Sequence, residues 1–253
     1  MDFRLTPDLQ RFQQEVREFI AGLPPFGTPR DPAEFNTASR KFDRLLAERG
    51  WLTMAWPSEY GGKDATIFEQ LILIEEAASA GIPWQGDQAI GHLGPVIMLY
   101  GTDAQKDLYL PMIARGELRT SQGFSERNAG SDLAGLELRA TLDGDAYVMN
   151  GSKIWIAGAQ FANYMHFMAR TGEQSTKHRG ISYFLTKLDA PGITVRPIED
   201  MRGQDGMTEV IMEDVRVPVT QRIGEENQGW YVATTGLNYQ RSSIAFVAST
   251  RRY

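Results

Sequence analysis

From Thr6 to about residue 118 the apolar positions recur with a helical period. Thr6 followed by Pro7 reads as a cap with proline in the first turn, and Leu9, Phe12, Val16, Phe19 and Ile20 then share one face. An amphipathic helix is expected there. Phe42, Leu45 and Leu46 predict a second, ended at Gly50, and Phe68 through Ala80 a third, stopped by the breakers Gly81 and Pro83. Gly94 to Tyr100 and Leu108 to Ile113 predict two shorter helices.

Past Gly116 the period shortens. Segments such as Ala146 to Asn150, Tyr164 to Ala169 and Ile181 to Leu185 are rich in β-branched and aromatic residues and are punctuated by Gly and Asp, which predicts strands. Leu142-Asp-Gly-Asp145 predicts a hairpin turn of the Asp-Gly type. The strands are expected to end near Val217-Pro218. From Gly229 helical spacing returns at Trp230, Ala233, Leu237, Ile244 and Val247 and is still running at Arg251-Arg-Tyr253; so apolar a stripe needs a partner.

The change of period is the sole boundary signal, because no repeat, linker or low-complexity tract interrupts the chain. The expected class is α+β. An N-terminal helical domain over 1–118 leads into a small antiparallel β-barrel or sandwich domain over 119–226. The first helix of a C-terminal helical bundle then occupies 227–253.

Composition narrows the functions. The 253 residues, 42% of them hydrophobic, suffice for a core divided between two domains. Net charge is −6, pI is near 5.2 and no basic run gathers, so neither nucleic acid nor a membrane is an expected partner. The chain has no cysteine, which excludes disulfides, thiolate metal sites and a cysteine nucleophile and fits a reducing compartment. His92, His166 and His178 lie far apart without ligand spacing, so each reads as a surface or core residue and no metal is expected. Met-Asp-Phe-Arg-Leu-Thr-Pro has polar residues where a secretory signal would be apolar; a cytoplasmic protein is expected.

The most specific stretches are Gly123-Phe-Ser-Glu-Arg-Asn-Ala-Gly-Ser-Asp-Leu-Ala-Gly135 and Asn150-Gly-Ser-Lys-Ile-Trp-Ile-Ala157. Together they resemble the signature of the acyl-CoA dehydrogenases, flavoproteins whose segments read Ser/Thr-Glu-x-x-x-Gly-Ser-Asp and Asn-Gly-x-Lys-x-Trp-Ile-Thr/Ser. Trp56-Pro-x-x-Tyr60-Gly-Gly62, Tyr100-Gly-Thr102, Met201-Arg-Gly203, Glu213-Asp-Val-x-Val-Pro218 and Gly236-Leu-x-x-x-Arg241 follow in family order, so the likeness runs along essentially the whole chain.

The resemblance implies FAD as cofactor and an acyl-CoA as substrate. Electron-transfer flavoprotein or a similar acceptor, and a homo- or hetero-oligomer, are the implied partners. A flavin that takes hydride must be held flat, with hydrogen-bond donors along its pyrimidine edge and a wall that excludes water. By resemblance the Phe124-Ser125 backbone and the Ser125 hydroxyl face the pyrimidine ring, and Trp155 and Ile156 pack beside the isoalloxazine. Gly130 permits close approach of backbone, and Ser131 and Arg241 face the acyl-CoA. Each has a plainer alternative: a core aromatic at Trp155, an ordinary polar turn at Gly130-Ser131, a helix-surface arginine at Arg241, and backbone-bonding carboxylates at Glu126 and Asp132.

Three positions depart from the pattern. Ala157 stands where the family has a hydroxyl donor toward the flavin, leaving only a backbone amide, and Phe124 replaces a smaller aliphatic. The family's reaction removes the α-proton of an acyl thioester with a carboxylate while the β-hydrogen leaves as hydride, giving a trans-2-enoyl-CoA. That carboxylate lies either in the C-terminal domain or immediately before the arginine that here is Arg241, where this chain has Gln240, an amide without a useful basic lone pair. The expected function is therefore an FAD-dependent acyl-CoA dehydrogenase without its usual base region. The alternatives are a non-catalytic acyl-CoA- or flavin-binding subunit of a hetero-oligomer, and a flavin monooxygenase or oxidase on the same fold.

Overall fold

A computed structural model describes residues 4–84, 86 and 88–242. The expected stripe positions Ile244 and Val247 lie outside the described residues. By its internal contacts the chain divides into two units, one holding Met1–Gly86 and Ala114–Gly116, the other Asp87–Ile113 and Glu117–Arg241. The two short helices before the sheet thus share a unit with it, although their hydrophobic period groups them with the helices upstream.

In the first unit α1 (Pro7–Ala21) starts as its sequence predicts: the Thr6 side chain accepts from the Leu9 N–H and Pro7 opens the first turn. Helix α2 (Pro32–Glu48) is capped by Asp31, which accepts from Glu34 N at 2.8 Å. Helix α3 (Ile67–Ser79) begins with a capping box between Thr66 and Glu69. Rings fill the space between them. Phe42 is packed by Phe19, Phe26 and Trp84, Trp51 sits edge-on to Phe12 and Phe19, and the Trp84 indole donates to Asp43 at 2.7 Å. In the Trp56-to-Gly62 motif the chain doubles back so tightly that a Cβ at Gly62 would fall on the Trp56 carbonyl, which explains the glycine.

The second unit opens with a π-helical turn, Ala89–Leu93, that runs into α4 (Gly94–Tyr100) and then α5 (Asp103–Ala114). Eight strands follow: β1 (Thr120–Gly123), β2 (Arg139–Asp143), β3 (Ala146–Ala157), β4 (Tyr164–Arg170), β5 (Ile181–Lys187), β6 (Ile193–Ile198), β7 (Met207–Pro218) and β8 (Arg222–Ile223). Their order is β6-β7-β3-β2-β4-β5-β8, with β1 on β4, and all pairs are antiparallel except β1 with β4 and the single β2–β4 pair. β2 and β3 form the expected hairpin with Gly144 at positive φ in its turn. The strands do not stop at Pro218: β8 adds two residues on β5, and the Gln105 amide holds this stretch through the Thr220 and Arg222 carbonyls.

One face of the sheet carries Tyr147, Met149, Ile156, Met165, Phe167, Phe184, Val210, Met212, Val215 and Val217 into a continuous core. On the other side α6 (Gly229–Ser242) closes over β5 and the π turn, using its small residues for close approach. A Cβ at Gly229 would strike the Ser182–Tyr183 backbone, and one at Gly236 the His92 imidazole. Val232 and Ala233 are buried, and Thr235 shares a hydrogen bond with Tyr100 at 2.9 Å. The partner that the stripe was expected to need is therefore found within this unit as far as Gly236.

Candidate functional site

The signature segment leaves β1 at Gly123 and is bolted to β3. The Ile154 N–H donates to the Ser125 carbonyl at 2.9 Å, and Glu126 and Ala129 exchange backbone bonds of 3.0 and 3.1 Å that fold Arg127 and Asn128 into a tight turn. Lys153 is fully buried and donates to the Phe124 carbonyl at 3.1 Å and to Glu126 Oε1 at 2.7 Å. Burial pushes the Lys153 ammonium down from its usual value, and the Glu126 carboxylate beside it pulls the other way. Glu126 also accepts from the Glu137 and Leu138 amides at 2.6 and 3.0 Å. The plainer alternative for Glu126, a carboxylate bonding nearby backbone, is what the structure contains.

Trp155 occupies a bulge. Between Lys153 and Ile156 the pairing of β3 with β7 shifts register, Trp155 takes a φ of 61°, and its side chain is 61% exposed. It is no core aromatic. Ile156 points into the core instead, and its carbonyl accepts from Thr208 Oγ1 at 2.9 Å. Ala157 is exposed opposite Met207, Ser125 is half-buried, and Gly130 and Ser131 are exposed with open space beside Gly130. Trp155, Ala157 and Ser125 thus occur on segments tied directly together, whereas Phe124 and Ile156 send their side chains inward.

Three features escaped the sequence reading. Glu209, buried on β7 next to Thr208, receives Arg127 from the signature turn at 2.9 Å and Arg196 from β6. Burial pushes its carboxyl up, yet the two guanidinium groups prevail and hold it below the usual carboxylate range. Arg170 is buried on β4 and donates to the Ala134, Leu136 and Lys177 carbonyls, joining the end of the signature segment to the 174–180 loop. That loop and the first turn of α6 border an open cavity of about 550 Å³ lined by Ser175, Thr176, Lys177, His178, Arg179, Trp230 and Tyr231. His178 stands edge-on to Trp230 there at 4.3 Å.

The histidines were expected to be unrelated, and the fold corrects this for two of them. His92 from the π turn and His166 from β4 lie with ring centroids 4.7 Å apart. Sequence spacing cannot show it, because 73 residues separate two positions that the docking of a helix on a sheet brings together. Burial pushes His92 down to about 4, opposed by the Gln240 amide that reaches its ring from α6. Burial and His92 together push His166 well below the usual histidine range. Arg241, one residue on, is exposed. Among the described residues no group of three or more His, Asp or Glu side chains is arranged to hold a metal, and no helix is long and apolar enough to cross a membrane.

Comparison with known proteins agrees with this layout. The family model "Acyl-CoA dehydrogenase, N-terminal domain" matches residues 6–117, and "Acyl-CoA dehydrogenase, middle domain" matches residues 121–215. Acyl-CoA dehydrogenase FadE26 of Mycobacterium tuberculosis is 38% identical over 256 residues, covering 96% of this chain and 63% of its own length. Among solved structures, "Tcur3481-Tcur3483 steroid ACAD" aligns over 100% of this chain and 65% of its own with a TM-score of 0.85 at 37% identity. The ChsE4-ChsE5 complex from Mycobacterium tuberculosis aligns over 94% and 61% with a TM-score of 0.80 at 40% identity. The chain thus spans a little under two thirds of the length of these relatives. With both domain signatures, the sheet that carries them and these likenesses in agreement, the chain belongs to the acyl-CoA dehydrogenase family.

Proposed function

We propose that this chain supplies the flavin wall and the thioester-facing edge of an FAD-dependent acyl-CoA dehydrogenase. The observation that carries the reading is Trp155: a large apolar ring held outward by a positive-φ bulge and fixed to the signature segment through Ile154 and Lys153. A stacking surface held at that conformational cost fits a flat ring system. When bound, FAD supplies the acceptor for the β-hydrogen of the acyl group. Trp155 covers the ring and excludes water, the Ser125 hydroxyl and neighbouring backbone meet its polar edge, and Ala157 offers an amide where relatives offer a hydroxyl.

On the substrate side Gly130 and Ser131 receive the thioester arm. The cavity beside the 174–180 loop suits the nucleotide end of coenzyme A, with Lys177 and Arg179 for phosphate and the Trp230 and Tyr231 rings for a base. The α-proton goes to a carboxylate other than residue 240, since Gln240 cannot take it. An electron-transfer flavoprotein or a similar acceptor would be the partner that takes up the electrons. A non-catalytic subunit completing a partner's site is the second reading, and the engagement of Gln240 with the buried His92 favours it.

The test is anaerobic mixing of the FAD-reconstituted protein with octanoyl-CoA and with a steroid acyl-CoA, the latter chosen because a similar structure is described as a steroid ACAD. The measurement is made with the chain alone and with any co-purifying polypeptide. Bleaching of the flavin by an acyl-CoA is the expected outcome. Flavin that binds but is reduced only by an external reductant would move the reading to a monooxygenase.

A further inference from the structure

Between the sheet, the π turn and α6 lies a cluster of polar rings that the proposed chemistry does not use. His92, His166 and Tyr183 are each fully buried. His92 and His166 are 4.7 Å apart, His166 and Tyr183 stack at 5.9 Å with 17° between planes, and Phe124 meets all three edge-on. His166 Nδ1 bonds Thr120 Oγ1 at 2.9 Å. The Gln240 amide meets one nitrogen of His92, which leaves three atoms on these rings, the other His92 nitrogen, His166 Nε2 and the Tyr183 hydroxyl, without a hydrogen-bond partner among the described residues.

One orphaned buried polar atom is an ordinary imperfection; three on three touching rings make a site. Each left bare would lose its hydration without replacement. The surroundings select the chemistry of the occupant. Phe124, Gly236 and the Gln240 amide reach the His92 ring without bringing a formal charge, and both imidazoles are held neutral by burial. An ion would find no counter-charge. A neutral imidazole offers one donor and one acceptor and a phenol offers both, so the groups match an oxygen that can both give and take hydrogen bonds. The position is independently marked, because His92 stands on a π turn, a helix irregularity that recurs at functional sites.

The geometry points to a closed binding site for one uncharged oxygen that carries hydrogen, a hydroxyl or a water, lined by His92, His166 and Tyr183. That oxygen belongs either to a sequestered water or to the acyl part of a substrate. Only the second source rests on the function proposed above.

Three measurements on the full chain test it. A crystal structure of the ligand-free protein, and one with 6-hydroxyhexanoyl-CoA, should show an oxygen within about 3.2 Å of at least two of the three atoms. Its lack in both would overturn the site. Stability of Tyr183→Phe supplies a sign: removing a bare hydroxyl stabilises, whereas removing one that holds an oxygen destabilises. A Tm lowered by about 2–4 °C is expected, and a raised Tm contradicts the proposal. Binding of 6-hydroxyhexanoyl-CoA against hexanoyl-CoA then separates the sources. A preference of about tenfold that vanishes in His92→Phe assigns the oxygen to the acyl group, and equal binding with an oxygen already present in the free protein assigns it to water. If neither thioester binds, the acyl-CoA reading fails and the site is decided by the ligand-free crystal and the Tyr183→Phe melt.

Discussion

At position 153 a lysine is fully buried, and its charge is answered by one carboxylate and one carbonyl. Such a pair contributes modestly to net stability, but removing one partner leaves the other desolvated and uncompensated. Lys153→Met is therefore expected to lower unfolding free energy by about 3–5 kcal/mol, read from urea denaturation, and Lys153→Met with Glu126→Gln to recover part of the loss. Additive losses in the double variant would mean that the two side chains act independently. The sequence marked this lysine only as part of a motif, because its role depends on which backbone it reaches. Trp155 shows the same limit more sharply. Strict alternation along β3 assigns it a facing, but the bulge inserted between Lys153 and Ile156 changes that facing, and no property of the tryptophan distinguishes wall from core.

Among the elements, those with caps and period were legible and those made by docking were not. Thr6-Pro7 and the Asp-Gly hairpin were readable because local groups satisfy local donors or set the turn, and Gly94 to Tyr100 because its apolar run is bounded by glycines. The strand beyond Pro218 and the π turn have weaker local signatures and depend on neighbours, whereas the Asp31-Pro32 start of α2 is a local signal that its sparse apolar period obscured. Helix α6 depends most on such contact. Its pattern identified an apolar stripe, but Gly236 approaches His92 through the lack of a side chain, which hydrophobic periodicity cannot register. Gly236→Ala should cost about 1–3 kcal/mol despite the better helix propensity of alanine, because the added methyl meets the buried ring. Thermal melts of Gly236→Ala and of Tyr239→Ala, whose side chain lies on the exposed face, make the comparison. Equal melts would show that α6 does not need the contact.

For the molecule as a whole, the buried histidines couple stability to pH. An unfolded histidine titrates near pH 6.5, whereas His92 is held down to about 4 and His166 well below its usual range. Between those values the unfolded chain binds protons that the folded chain does not, so stability is full above about pH 6.5 and falls as the pH drops toward 4. Urea unfolding at a series of pH values should show this fall, and His92→Gln should flatten it. A profile unchanged by the substitution would mean that carboxylates such as Glu209, also held below its usual range, carry the acid sensitivity alone.

The account depends above all on Trp155 being a wall and not a structural ring. The most direct measurement is an FAD titration of the protein and of Trp155→Ala, followed by flavin fluorescence and paired with a thermal melt of each. Because the side chain is 61% exposed, the melt should shift little, within about 0.5 kcal/mol of stability, while FAD affinity falls about tenfold or more. A variant that binds FAD as the parent does, or that loses binding only in step with a collapse of the melt, would contradict the flavin-wall assignment.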